Sequence, residues 1–169
     1  MANATVEIRV SHGSPESVET SNAASIPLLS ANLGSTASPT QYPLRIPSEG
    51  TQYSYERYFR VYVSDMGDAV SIRNLRLYCD NPNFITGATL KYGTTDTYST
   101  PVNSASSIAT TTVPSSLPED ANIEINGSTS NELTGTGYSD YVVLQLEIPY
   151  TATNEGGSTG LHIVYDEVH

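Results

Sequence analysis

Tryptophan is absent from the 169 residues, cysteine and lysine occur once each, and phenylalanine twice. A single cysteine, Cys79, excludes an intrachain disulfide, so the core must hold the fold without covalent staples. Cys79 falls in phase with Leu75 and Leu77, the pattern of a small buried apolar residue; an intermolecular bridge or a reactive thiol is the other reading. Basic residues run out early. All seven lie between Arg9 and Lys91, whereas the 78 residues from Tyr92 onward carry ten acids and no Lys or Arg. At a net charge of −11 the chain lacks the clustered cations that grip phosphates, so no nucleic-acid partner is expected. No apolar run approaches the roughly 18 residues of a membrane span. The start, Met-Ala-Asn-Ala-Thr-Val-Glu, has neither the basic region nor the apolar stretch of a secretory signal, and a soluble chain without an export address is expected.

Catalytic patterns are missing as well. Gly-x-Gly-x-x-Gly and the phosphate-loop spacing do not occur, and the only imidazoles are His12, beside a turn, His162, out of phase with Leu161 and Ile163, and the terminal His169. Three acidic clusters, Asp65 with Asp68, Asp80 with Asn81 and Asn83, and Glu119 with Asp120, do not match a Ca²⁺ loop, and their residue types are those turns require. No enzyme activity, cofactor or metal is therefore expected.

What the chain does have is strand chemistry: 22 Ser, 20 Thr and 12 Tyr. Val6, Ile8 and Val10 alternate with Glu7 and Arg9 before the break at His12-Gly13-Ser14-Pro15. From Tyr55 to Ser64, Phe59, Val61 and Val63 share one face and Tyr58, Arg60 and Tyr62 the other. After the turn at Asp65-Met66-Gly67-Asp68, Leu75 and Leu77 lie opposite Arg76 and Tyr78, and a hairpin between these two runs is predicted. It would gather Arg60, Tyr62, Arg76 and Tyr78 on one outward cationic and aromatic face, with Tyr58 beside them. Cross-strand Tyr and Arg pairs on a solvated face would give the same pattern without a partner.

Further strands are predicted at Thr89–Tyr92, around Ile123 and Ile125, and at Tyr141–Tyr150, where Val142, Leu144, Leu146 and Ile148 share a face. The loop 151–159, containing Glu155-Gly156-Gly157, leads to Leu161, Ile163 and Tyr165 on a last strand, predicted to pair with its predecessor. Seven or eight strands among turn-rich loops and no helix of standard length predict one all-β domain over residues 1–169, an antiparallel β-sandwich, immunoglobulin-like or jelly-roll-like. Residues 14–50 are rich in Ser, Pro, Ala and Thr and read as a long irregular arm. Two placements fit it: across a neighbouring subunit, anchored by Ile26, Leu28, Leu29 and Leu44, or against its own sandwich.

Ser25-Ile26-Pro27-Leu28-Leu29-Ser30, the run Tyr55-Glu56-Arg57-Tyr58, and the closing Gly137-Tyr138-Ser139-Asp140-Tyr141-Val142 with Tyr165-Asp166-Glu167 give an order of features that resembles the small β-sandwich proteins on tailed-bacteriophage heads and tails, especially capsid decoration or cement proteins. The resemblance is to a class and carries no signature residue. It implies a non-catalytic virion protein, made in the host cytoplasm, that forms a homo-oligomer and stabilises the assembled shell by binding the major capsid protein or another virion protein. Placement in the tail or neck is the variant of that reading. A carbohydrate-binding module or adhesin is the competing class, since Tyr53, Tyr55, Tyr58 and Tyr62 could stack on sugars, although without Trp the platform is poorer.

Overall fold

The computed structural model describes residues 2–153 and 156–169; Met1, Asn154 and Glu155, the last two in the predicted 151–159 loop, lie outside the described residues. No helix occurs among them, and the chain builds two antiparallel sheets packed as a sandwich. The strands are β1 (Thr5–His12), β2 (Ser17–Val18), β3 (Thr51–Tyr53), β4 (Arg57–Asp65), β5 (Ser71–Cys79), β6 (Thr89–Thr95), β7 (Thr111–Thr112), β8 (Gly137–Tyr138), β9 (Tyr141–Pro149) and β10 (Leu161–Val168). The large sheet runs β2-β1-β4-β9-β6-β7, with β3 on one end of β9 and β8 on one end of β4; the small sheet is β10 against β5 alone.

The period-2 patterns land on the faces they predict. Val10, Phe59, Val61, Val63, Val142, Leu144, Leu146 and Ile148 from the large sheet meet Ile72, Leu75, Leu77 and Cys79 from the small one in a single core. Each such side chain, fully removed from water, contributes about 1.5–3 kcal/mol before entropy is set against it. Ile123 and Ile125 are buried in this core too, but their segment is irregular rather than a strand, with only a bridge from Ile125 to Ser128.

Two predicted pairings are corrected. The Asp65–Asp68 turn does not close a hairpin: β4 pairs with β1 and β9, and β5 belongs to the other sheet. Likewise β10 does not pair with β9 but with β5, through Leu161↔Cys79 to Val168↔Ser71. Both connections therefore cross between sheets. The physical reason is that β4 and β5 each have one apolar face, and those faces are buried best by opposing one another across the core, not by lying side by side.

The arm is folded back on its own sandwich. Leu29 is fully buried, and Ile26, Leu28 and Leu44 pack against the shared core. Its hydrogen bonds are local tethers: the Ala23 amide donates to the Ile8 carbonyl, the Ile8 amide to Asn22, and Tyr55 to the Leu29 carbonyl. Arg57 fixes the arm from below, its guanidinium donating to the Leu33 carbonyl. That guanidinium is almost wholly buried, and burial lowers its pKa to about 10 in spite of nearby Glu19.

Candidate functional site

The outward face of the large sheet is where the sequence places an aromatic and cationic display, and the structure divides that face in two. One half is covered. The segment 98–109 lies across β4, β6 and β9, so Tyr58 is fully buried in a second small cluster with Ala109, Tyr141 and Val143, flanked by Tyr98 and Ile108. Gly93 permits this close approach, because a Cβ there would run into the Ile108 carbonyl. Gln145 staples the segment down: its amide nitrogen donates to the Ser54 and Ser104 carbonyls at 3.0 and 2.8 Å, and its oxygen accepts from the Ser106 amide at 2.9 Å.

The other half is left partly exposed, with the Arg9 side chain at 12%, and carries a ladder of guanidinium and phenol groups. Arg9 lies 5.0 Å from the centroid of Tyr62, Tyr62 stacks on Tyr138 at 4.4 Å, and Arg60 sits 4.1 Å from Tyr138 and 4.3 Å from Tyr141. Register explains the gathering. Arg9 is directly opposite Arg60 in the β1–β4 pair, and β8 brings Tyr138 opposite Tyr62. The Ser139 hydroxyl and main chain both bond Val61, holding β8 against the second half of β4 where β9 has diverged. Two like charges facing each other would repel; here each is spread over an aromatic face, and Arg9 is also paired with Glu7.

Beneath the ladder the phenols are locked. Tyr141 donates to Glu16 and Tyr98 to the Gly13 carbonyl, both at 2.7 Å, and burial pushes the pKa of Tyr58, Tyr98 and Tyr141 up to about 12. None of the three is poised to ionise near neutral pH. The arrangement offers rigid, neutral rings and fixed cations, which suits contact rather than proton transfer.

Arg76 and Tyr78 do not join this face. They project from the outer side of the small sheet, on the opposite surface of the sandwich, where Arg76 bonds Asp166 at 2.8 Å and Tyr78 stacks on His162 at 4.6 Å. His162 in turn meets Asp80 at 2.8 Å. The single four-residue face expected from the sequence is thus two separate surfaces, because β4 and β5 belong to different sheets. Arg9 and Tyr138 are the members that sequence reasoning missed. Arg9 carried a usable signal, being in phase with Glu7 on the polar side of β1, whereas Tyr138 lies in a two-residue strand with no periodicity.

Ile26, Leu28 and Leu44 border a cleft of about 1160 Å³ between the arm and the inner face of the large sheet, floored by Phe59, Leu144 and Leu146 and reaching Leu161 and Ile163. Among the described residues no charged side chain lines it. Members of two of the acidic turn clusters bond the backbone: Asp65 accepts from the Gly67 amide, Asn81 from that of Asn83, and Asp68 from that of Ala2. Among the described residues no three His, Cys, Asp or Glu side chains come together as a metal site. Compared with family models, curated proteins and solved structures, the chain matches none.

Proposed function

We propose that this chain is a non-catalytic binding protein whose partly exposed large-sheet face, Arg9, Arg60, Tyr62 and Tyr138, docks onto a protein partner. The observation that carries the reading is the ladder itself: a flat, rigid surface of Arg and Tyr, the residue types that dominate protein interface energetics, on a scaffold whose buried phenols are locked away from ionisation. Flat sheets suit flat partners. The class resemblance supplies a concrete setting, a capsid decoration or cement protein of a tailed bacteriophage that binds the assembled shell and stabilises it, with a tail or neck position as the variant. Sugar binding is less well supported, because Tyr62 and Tyr138 stack on each other and carry guanidinium groups, whereas a sugar platform needs bare ring faces.

The test is co-sedimentation of the purified chain with intact shell particles from its source, followed by the Arg60→Ala, Tyr62→Ala double variant. Saturable binding of the native chain, weakened by about a thousandfold in the variant at the scale of two hot-spot truncations, is the expected result. Binding unaffected by the double variant would remove this face from the interface. A native chain that ignores the particles would withdraw the decoration reading.

A further inference from the structure

The two edges of the small sheet are treated differently, and the difference reveals an unmet valence. On the β5 side the chain caps itself. Asn122 bonds the Leu77 amide and carbonyl through its side chain, Ile123 donates to the Leu75 carbonyl, Cys79 donates to that of Pro114, and Ile72 bridges to Leu133. Because Leu77 and Cys79 turn their main-chain groups to this side, the alternate residues Arg76 and Tyr78 give theirs to Val164 and His162 of β10. A bulge at Asn74, which has a φ of 52°, restores the same phase beyond Tyr165, so Asp166 and Val168 also face β5. The main-chain groups of Leu161, Ile163 and Tyr165 therefore point away from β5, and no hydrogen bond from any described residue reaches them. Proline, lysine and inward charge, the usual guards of a bare edge, are absent from Leu161–Tyr165.

We propose that β10 pairs with β10 of a second copy of this chain, antiparallel about a two-fold axis at Val164. The register is set by parity: with Val164 opposite its own copy, Ile163 stands opposite Tyr165 of the second copy, and both residues have the main-chain groups free to bond. Charge agrees with it. On the outer surface the same register puts His162 opposite Asp166 of the second copy, twice, with Val164 against Val164 between them. His162 and Asp166 are each partly exposed there, at 41% and 44%, each with an intramolecular partner only on its β5 side or beyond the strand end. The joined sheet, β5-β10-β10-β5, has four strands where a pair of strands alone is marginal.

This inference concerns the sheet opposite the docking face, so the two readings fail separately. The mass of the native chain is measured by light scattering over a concentration series, beside Val164→Cys under mild oxidation and Ile163→Pro. The expected result is a reversible dimer of the 18.1 kDa chain, a disulfide-linked dimer of the Cys variant, and self-association weakened about tenfold or more by the proline, which removes a main-chain donor from the shared edge. Cys79 is buried and stays out of the cross-link. A dimer that Val164→Cys fails to trap would overturn the proposal by placing the contact elsewhere. So would a chain that stays monomeric, and if its Leu161 and Ile163 amides gain exchange protection only when shell particles are added, the edge belongs to a strand donated by the shell.

Discussion

The large sheet and the small sheet use the same alternating pattern, yet only the first is closed by strands. In the large sheet β4 and β9 are central and each has strand neighbours on both sides. In the small sheet β5 has one strand neighbour, a side-chain cap and scattered coil bonds, and β10 has one strand neighbour and, among the described residues, no main-chain hydrogen bond on the other edge at Leu161, Ile163 and Tyr165. Alternation thus specifies which face of a strand is buried, while the identity of its edge partner is decided by what the loops can bring alongside. The cost of building half a sandwich from coil is that its backbone is satisfied piecemeal, by Asn122 and coil carbonyls along β5 and by no hydrogen bond from a described residue at Leu161, Ile163 and Tyr165 of β10.

The sharpest way to break this contrast is at Arg57, which ties the coil to the large sheet. Arg57→Ala is expected to destabilise by about 1.5–3 kcal/mol, the range for a hydrogen bond to a charged group, because the Leu33 carbonyl loses its donor and the arm its tie to β4. Urea unfolding followed by circular dichroism checks this; a loss below about 1 kcal/mol, the scale of exposed ion pairs, would mean the arm is held by its apolar contacts alone.

Asn122→Ala addresses the small sheet. It deletes both side-chain bonds to Leu77 and is expected to cost about 1–3 kcal/mol, the range for stranded backbone groups. Amide exchange should accelerate at Arg76, Tyr78, His162 and Val164 while Val61 and Leu144 keep their protection. Uniform acceleration across both sheets would show that they open as one unit, and the contrast would be structural without being energetic.

Alkaline pH probes the covered half of the large sheet, with a smaller expected effect. Burial raises Tyr58, Tyr98 and Tyr141 from the ordinary 10.0 to about 12, so the folded state holds these protons more tightly than the unfolded state does. Their contribution is complete below pH 10 and is lost as pH climbs toward 12. Arg57 acts in the opposite sense, its buried charge being a cost that fades above pH 10, but one guanidinium stands against three phenols. The urea midpoint should therefore fall between pH 10 and 12, and fall less steeply in Tyr141→Phe. A flat profile over that range would show that the 98–109 segment admits water to these rings.

The sequence made much of this legible and concealed the rest for identifiable reasons. Val142, Leu144, Leu146 and Ile148 on one face of β9, and Phe59, Val61 and Val63 on one face of β4, follow from period 2, and all seven are in the core. The partner of each strand does not follow, since an apolar face looks the same whether its owner is a neighbour in one sheet or an opponent across the core. Hence β4 was expected beside β5, and β10 beside β9. Half of the Tyr and Arg face was readable from Arg60 and Tyr62. The burial of Tyr58 was not, because the Ser/Thr/Pro-rich segment that covers it has no period, only scattered apolar residues such as Tyr98, Ile108 and Ala109.

Cys79 sits at the end of β5, fully shielded, its thiol pushed toward higher pKa by burial and its amide bound to Pro114. A chain with one sulfhydryl, placed in the core between the two sheets, carries its own stopwatch: an aromatic disulfide reagent can reach that sulfur only in the moments when the core around it opens, so the colour that develops counts those openings without any label being added.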